Sequence, residues 1–234
     1  MHMLPDPIEM SKAVAGIRYH LHTLYLFTAN DFATFAIPTT FFATFASLSG
    51  SPMTSNPSPS LIPTLLRVPL ALSIIWTNLL LFNISNQRSP TPTEEDRINK
   101  PLRPLPSARL TSEDARLLRN LLIALGYGLY SCAALCIIAG PAHDITDQGL
   151  AWVAVVTGVM FVTQHICDIK DAEGDRLRGR MSAPIVLGDK RVQWSVALPI
   201  LLSSAVCPWF FDLGEWSYFC TLGMGGVVAE RTLC

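Results

Sequence analysis

The sequence predicts an all-α fold, a bundle of helices that cross a membrane several times. Three observations carry that reading. Half of the 234 residues are hydrophobic and only 15% are charged, against about 25% charged in soluble domains. The apolar residues fall in long, charge-poor runs of the length a bilayer requires. The Lys and Arg residues fall in alternate connections between those runs.

Six runs qualify as spans, at about 24–49, 61–82, 117–139, 150–167, 192–211 and 217–230. Lys12 and Arg18 precede the first. Arg88, Arg97, Lys100, Arg103, Arg109, Arg116 and Arg119 lie between or at the edges of the second and third. Lys170, Arg176, Arg178, Arg180, Lys190 and Arg191 lie between the fourth and fifth, and Arg231 follows the sixth. Connections 51–60, 140–149 and 212–216 carry no Lys or Arg. Six crossings with an inner N-terminus therefore place every basic residue except Arg67 on one side. A soluble helical bundle has no reason to show this alternation.

The first span is impure, with Asn30 and Asp31, and an acid within a span is functional by default. Phe32, Phe35, Phe41, Phe42 and Phe45 read as packing or lipid-facing side chains. Span two holds Pro63, Pro69 and Arg67, whose long side chain can snorkel outward. The connection SPMTSNPSPS at 51–60 reads as a flexible outer loop. Thr111 and Asp114 resemble a capping pair that opens span three. That leaves Pro101, Pro104 and Pro106 in a loop. His143, Asp144 and Asp147 form an outer set without ligand spacing and receive no role. The sixth run is only about 14 residues long, short of the ~17 a span needs.

Six cysteines show neither metal nor disulfide spacing. The net charge of −1 carries no electrostatic footprint for nucleic acid. The expected surroundings are lipid.

The most informative stretch is QHICDIKDAEGDRLRGR, directly after span four. If the helix continues, Asp168, Asp171 and Asp175 fall at i, i+3 and i+7, within roughly 60° of arc. Like charges stacked this way oppose each other, and a helix C-terminus disfavours anions further. A hard divalent cation, which takes oxygen ligands, would compensate. The loop after span two faces the same compartment and carries Glu94, Glu95 and Asp96 among basic residues. Carboxylates that hold Mg²⁺, cations that meet phosphate oxygens and an apolar cavity between helices together suit a prenyl diphosphate.

The stretch DIKDAEGDRLRGRMSAPIVLGD resembles the second aspartate-rich motif of the UbiA-type intramembrane prenyltransferases, including a short Pro-containing, strand-like run. NISNQRSPTPTEEDRINKPLRPLPSAR resembles the first motif region of a fungal-type branch that includes membrane terpene cyclases, and TANDFATFAIPTTFF resembles that branch's first transmembrane segment. The resemblance implies one UbiA-like membrane domain over 1–234 and a Mg²⁺-dependent enzyme that ionises a prenyl diphosphate. The allylic cation passes to an acceptor, often aromatic. The same ionisation would serve a terpene cyclase, and a shortened, non-catalytic homologue would keep the first part of the fold.

By position, the resemblance makes Asp171 and Asp175 metal ligands with Asp168 alongside. Asn86, Glu95 and Asp96 serve the first motif, and Lys100, Arg103 and Arg176 contact diphosphate oxygens. Two departures stand out. Asn86-Gln87 replaces the usual Asn-Asp, and Pro90 stands where an Asp often does, so Glu94–Asp96 must supply the charge. The family typically has nine spans, and an extra pair is common between RPLP and DIKD, where this chain has room for two. The fungal-type resemblance implies an endomembrane location such as the endoplasmic reticulum.

Overall fold

The computed structural model describes residues 7–87, 112–177 and 182–234. Among them there are helices and no strands; one isolated bridge joins Thr54 and Ile145. In chain order the helices are α1 (Pro7–Asp31), α2 (Ile37–Ser49), α3 (Leu61–Gln87), α4 (Ser112–Ala139), α5 (Asp147–Thr163), α6 (Cys167–Leu177), α7 (Ala183–Leu187), α8 (Asp189–Phe210) and α9 (Glu215–Leu233). A π-turn over Phe32–Ala36 joins α1 to α2, and a 3₁₀ turn over Gln164–Ile166 joins α5 to α6.

Among the described residues, five segments are long and apolar enough to cross a bilayer: Phe32–Ser49, Leu61–Asn83, Leu118–Ala139, Asp147–Ile169 and Asp189–Phe210. The sixth expected run forms a 19-residue helix, α9. Its three glycines and the Glu230–Arg231 pair keep it below the apolarity of the others. The run APIVL, expected to be strand-like, is the short helix α7, opened by Pro184 in its first turn, where proline suits a helix.

Burial runs opposite to that of a soluble protein. The core is built largely of small side chains: Ala36, Ala43, Ala46, Ala71 and Ala134, with Met53, Ile75, Leu135 and Ile138. Large apolar side chains point outward, with Leu66 76%, Leu129 71% and Ile62 70% exposed. Small interfaces let helix backbones approach closely, and lipid covers the large groups. Several hydroxyls on the spans are bonded to carbonyls of their own helix, as at Thr40, Thr44, Thr77 and Thr163, so these four need no water. Helix α4 is central, packed against α2, α3 and α5; α5 packs on α8, and α8 on α9. At the last contact, a Cβ on Gly225 would collide with the Ser204 hydroxyl.

Of the phenylalanines in the first span, Phe41 and Phe45 face outward. Phe32, Phe35 and Phe42 pack on the core, with the Phe35 ring 4.4 Å from that of Tyr127.

The outer connections are better ordered than the sequence suggested. Segment 51–60, expected to be flexible, is clasped to segment 140–147. Ser55 N–H donates to Asp144 O (2.8 Å), Thr146 N–H to Met53 O (3.1 Å) and Asp144 N–H to Ser55 Oγ (2.9 Å). Met53 and Thr54 are buried. The reason is backbone pairing between two loops that lacked periodicity to reveal it, and it gives Asp144 a structural place. Thr146 caps α5, accepting from Gly149 N–H (2.9 Å), while its hydroxyl donates to Pro52 O (2.8 Å). Thr146→Val removes both bonds and is expected to cost about 1–2 kcal/mol, read as a lower Tm in detergent.

Arg67, the one basic residue outside the inner set, does reach outward. Its guanidinium caps the C-terminal end of α4, donating to Ala139 O (3.1 Å) and Ile138 O (3.4 Å). A cation at a helix C-terminus meets the negative end of its dipole.

Candidate active site

The inner ends of the spans are held together by polar groups. The anionic face lies on α6. Asp168 and Asp175 are seven residues apart, so their Cα positions differ by only ~20° around the helix axis, and both are buried. Asp171 sits ~40° further round than Asp175 and is exposed. Arg176 is exposed too. Asp175 has a bonding partner.

Span four continues through the 3₁₀ turn into α6, and Asp168 falls just after that turn.

Asp168 is held from α4. Arg119 Nη2 lies 3.3 Å from Asp168 Oδ1. The same guanidinium bonds Asn120 Oδ1 through Nη2 (3.3 Å) and Nε (3.4 Å). Gln164 of the 3₁₀ turn donates to the Asn120 carbonyl. Sequence reasoning assigned Arg119 to topology alone and passed over Asn120 and Gln164. The missed signal was an amide and a cation facing an acid across two helices, which spacing within one helix cannot display. His165, on the same turn, bonds Ser195 Oγ of α8 at 2.7 Å.

The other oxygen of Asp168 is buried and has no hydrogen-bond partner among the described residues. A buried, unpaired carboxylate oxygen costs at least ~1–3 kcal/mol, which an oxygen-seeking cation would relieve. That fits Mg²⁺. The described residues supply only part of a shell, because no three His, Cys, Asp or Glu among them converge closely enough to hold a metal. Glu95, Asp96, Lys100 and Arg103 lie outside the described residues, as does the Thr111 cap. Asn86 lies on α3, close to its inner end.

A second polar contact lies between α1 and α3. Asn83 Nδ2 donates to Asp31 Oδ2 at 2.7 Å, joining α3 to the start of the π-turn. Nearby, Trp76 Nε1 donates to Thr28 Oγ1 (2.9 Å). Pro38 has no N–H, so the Thr34 carbonyl loses its ordinary helical donor. The Tyr127 hydroxyl of α4 donates to that carbonyl instead, at 2.8 Å. A groove of about 730 Å³ runs along Val14–His22. It is formed by α1 alone, so it is not the expected chamber between helices.

These features define an α-helical integral membrane protein with carboxylates, amides and a guanidinium gathered at one end of its spans. Residues 117–232 match the UbiA prenyltransferase family. The chain is 28% identical to the diterpene cyclase eriG of Hericium erinaceus over 217 positions, covering 75% of this chain and 67% of that protein. It is 26% identical to the fumagillin beta-trans-bergamotene synthase of Aspergillus fumigatus, covering 69% and 72%. It is also 26% identical to the polyprenyl transferase eriF of Hericium erinaceus, covering 57% and 60%. No solved structure matches the chain.

Those figures locate a shortage. Since 75% of 234 residues is about 176, about 41 of the 217 positions aligned with the diterpene cyclase face a gap in this chain. For the bergamotene synthase, 69% is about 161, leaving about 50 of 211. These gaps fall inside the matched region and together amount to about as many residues as two spans of ~20 each.

Proposed function

We propose that the chain is a single UbiA-like domain that ionises a prenyl diphosphate and transfers the prenyl group to an acceptor, an aromatic one among the candidates. The observation that carries this is Asp168: buried, held on one oxygen by Arg119 and orphaned on the other, on a motif of the family's second type. In the proposed reaction the allylic C–O bond breaks and the diphosphate leaves with the electron pair. The acceptor's nucleophile then bonds to the allylic carbon and gives up a proton.

Asp168 and Asp175 provide the inward anionic face, flanked by Asp171. Arg119 holds Asp168 in place, and Arg176, Lys100 and Arg103 meet diphosphate oxygens. Asn86, Glu95 and Asp96 are assigned to the facing motif. Bound Mg²⁺, held by these carboxylates, would neutralise charge on the leaving group. The small-residue packing of the spans keeps water from the apolar side, where a free cation would otherwise be quenched. The proposed location is an endomembrane such as the endoplasmic reticulum.

Terpene cyclisation is the second reading. The names of two relatives, a diterpene cyclase and a bergamotene synthase, favour it. Microsomes bearing the protein, given Mg²⁺ and labelled geranyl, farnesyl or geranylgeranyl diphosphate, distinguish the two. Diphosphate release that depends on an added acceptor supports transfer. A hydrocarbon or terpene alcohol formed without acceptor supports cyclisation. No release from any donor would identify a shortened, non-catalytic homologue.

A further inference from the structure

We propose that Asp31 and Asn83 are positioning residues, whose amide–carboxylate contact fixes the inner end of α3, the segment that leads into the first motif, relative to the helices around it. The inference rests on the reading above that this site takes a magnesium-bound diphosphate.

Three observations support it. First, Asn83 is buried, at 8% exposure, and its bond to Asp31 is short for a charge-assisted contact between two helices. Asn86 follows three residues later on the same helix, one turn further inward. Second, Asp31 stands where the α-helix gives way to the π-turn. Such turns recur at functional sites because they offset the helix on either side. Here the offset is locked, since Tyr127 takes the Thr34 carbonyl. Third, α4 touches both sides: its Tyr127 bonds the Thr34 carbonyl of the π-turn, and its Arg119 bonds Asp168 of α6.

The role assigned is geometric. The carboxylate of Asp31 accepts from Asn83, and an amide oxygen at the same place would do so equally well. Asp31→Asn should therefore preserve function, whereas Asp31→Ala and Asn83→Ala should not. Thr28→Val is the matched control: it removes the Trp76 bond between the same two helices without touching the Asp31 contact.

The test is binding of inorganic pyrophosphate with Mg²⁺ to the full chain in detergent micelles, read by calorimetry, with Tm of the unliganded protein measured in parallel. Wild type, Asp31→Asn and Thr28→Val should bind alike, within about threefold. Asp31→Ala and Asn83→Ala should bind at least tenfold more weakly. If Asp31→Asn is as weak as Asp31→Ala, the charge itself acts and the positioning role is wrong. If Thr28→Val weakens binding as much, the contact matters only for packing, and the proposal is again overturned. Unchanged binding in both alanine variants overturns it while leaving the diphosphate reading intact. If wild type does not bind, both fall together.

Discussion

Asp168→Ala and Asp175→Ala are each expected to lower Mg²⁺-dependent diphosphate release by about a hundredfold to a thousandfold, the scale seen when one preorganised group is removed from a developing charge. Both side chains are buried on the same face of α6. Asp171→Ala should fall less, because Asp171 lies on the exposed flank. The measurement is labelled pyrophosphate released in microsomes, normalised to protein in the membrane fraction. Equal and complete losses at all three positions would place Asp171 in the same inward cluster and contradict the burial pattern. Little loss at Asp168 would remove the observation on which the proposed chemistry stands. Arg119→Met is the companion variant. It deprives Asp168 of its partner at 3.3 Å, so a loss there, with Asp168 intact, separates orientation of the carboxylate from its presence.

Gly140→Ala is expected to destabilise the fold by about 2–4 kcal/mol, seen as a markedly lower Tm in detergent. Two causes add. Gly140 has φ +92°, a conformation that side chains resist, and a Cβ there would lie 2.5 Å from Cζ of Arg67. The causes separate in a double-mutant cycle. In an Arg67→Ala background the collision is gone, so the glycine substitution should cost only the backbone strain, about 1–2 kcal/mol. Full additivity of the two substitutions would show that the guanidinium does not sit against Gly140.

The all-helical membrane fold was legible because its signals are local and redundant. Apolar runs mark spans one by one, and the placement of Lys and Arg orients them without any tertiary contact. The helix ends around Ser112, Asp147 and Asp189 lie within a few residues of the expected boundaries. Asp168 and Asp175 were legible for the same reason, since seven residues on a helix return to one face. At α9 the helix forms as expected while its apolarity falls below that of the other spans.

What could not be read was everything made between elements. The Arg119–Asp168 contact spans 49 residues, Asn83–Asp31 spans 52 and Arg67–Ala139 spans 72. No periodicity links such pairs. The 3₁₀ turn between α5 and α6 was also hidden, because Gln164–Ile166 carries neither Gly nor Pro. The outer clasp uses main-chain bonds, to which side-chain identity is nearly blind.

That clasp has a mechanical consequence. It ties the α2–α3 hairpin to the α4–α5 hairpin at one extremity, close to the alanine-rich packing. Any relative tilt of the two hairpins therefore pivots there, as a pair of tongs does at its rivet. A helix of ~20 residues is a lever of ~30 Å, so a rotation of about 5° opens its free end by roughly 2.6 Å. The jaws of those tongs are the ends that carry Asp31, Asn83, Arg119 and Asp168.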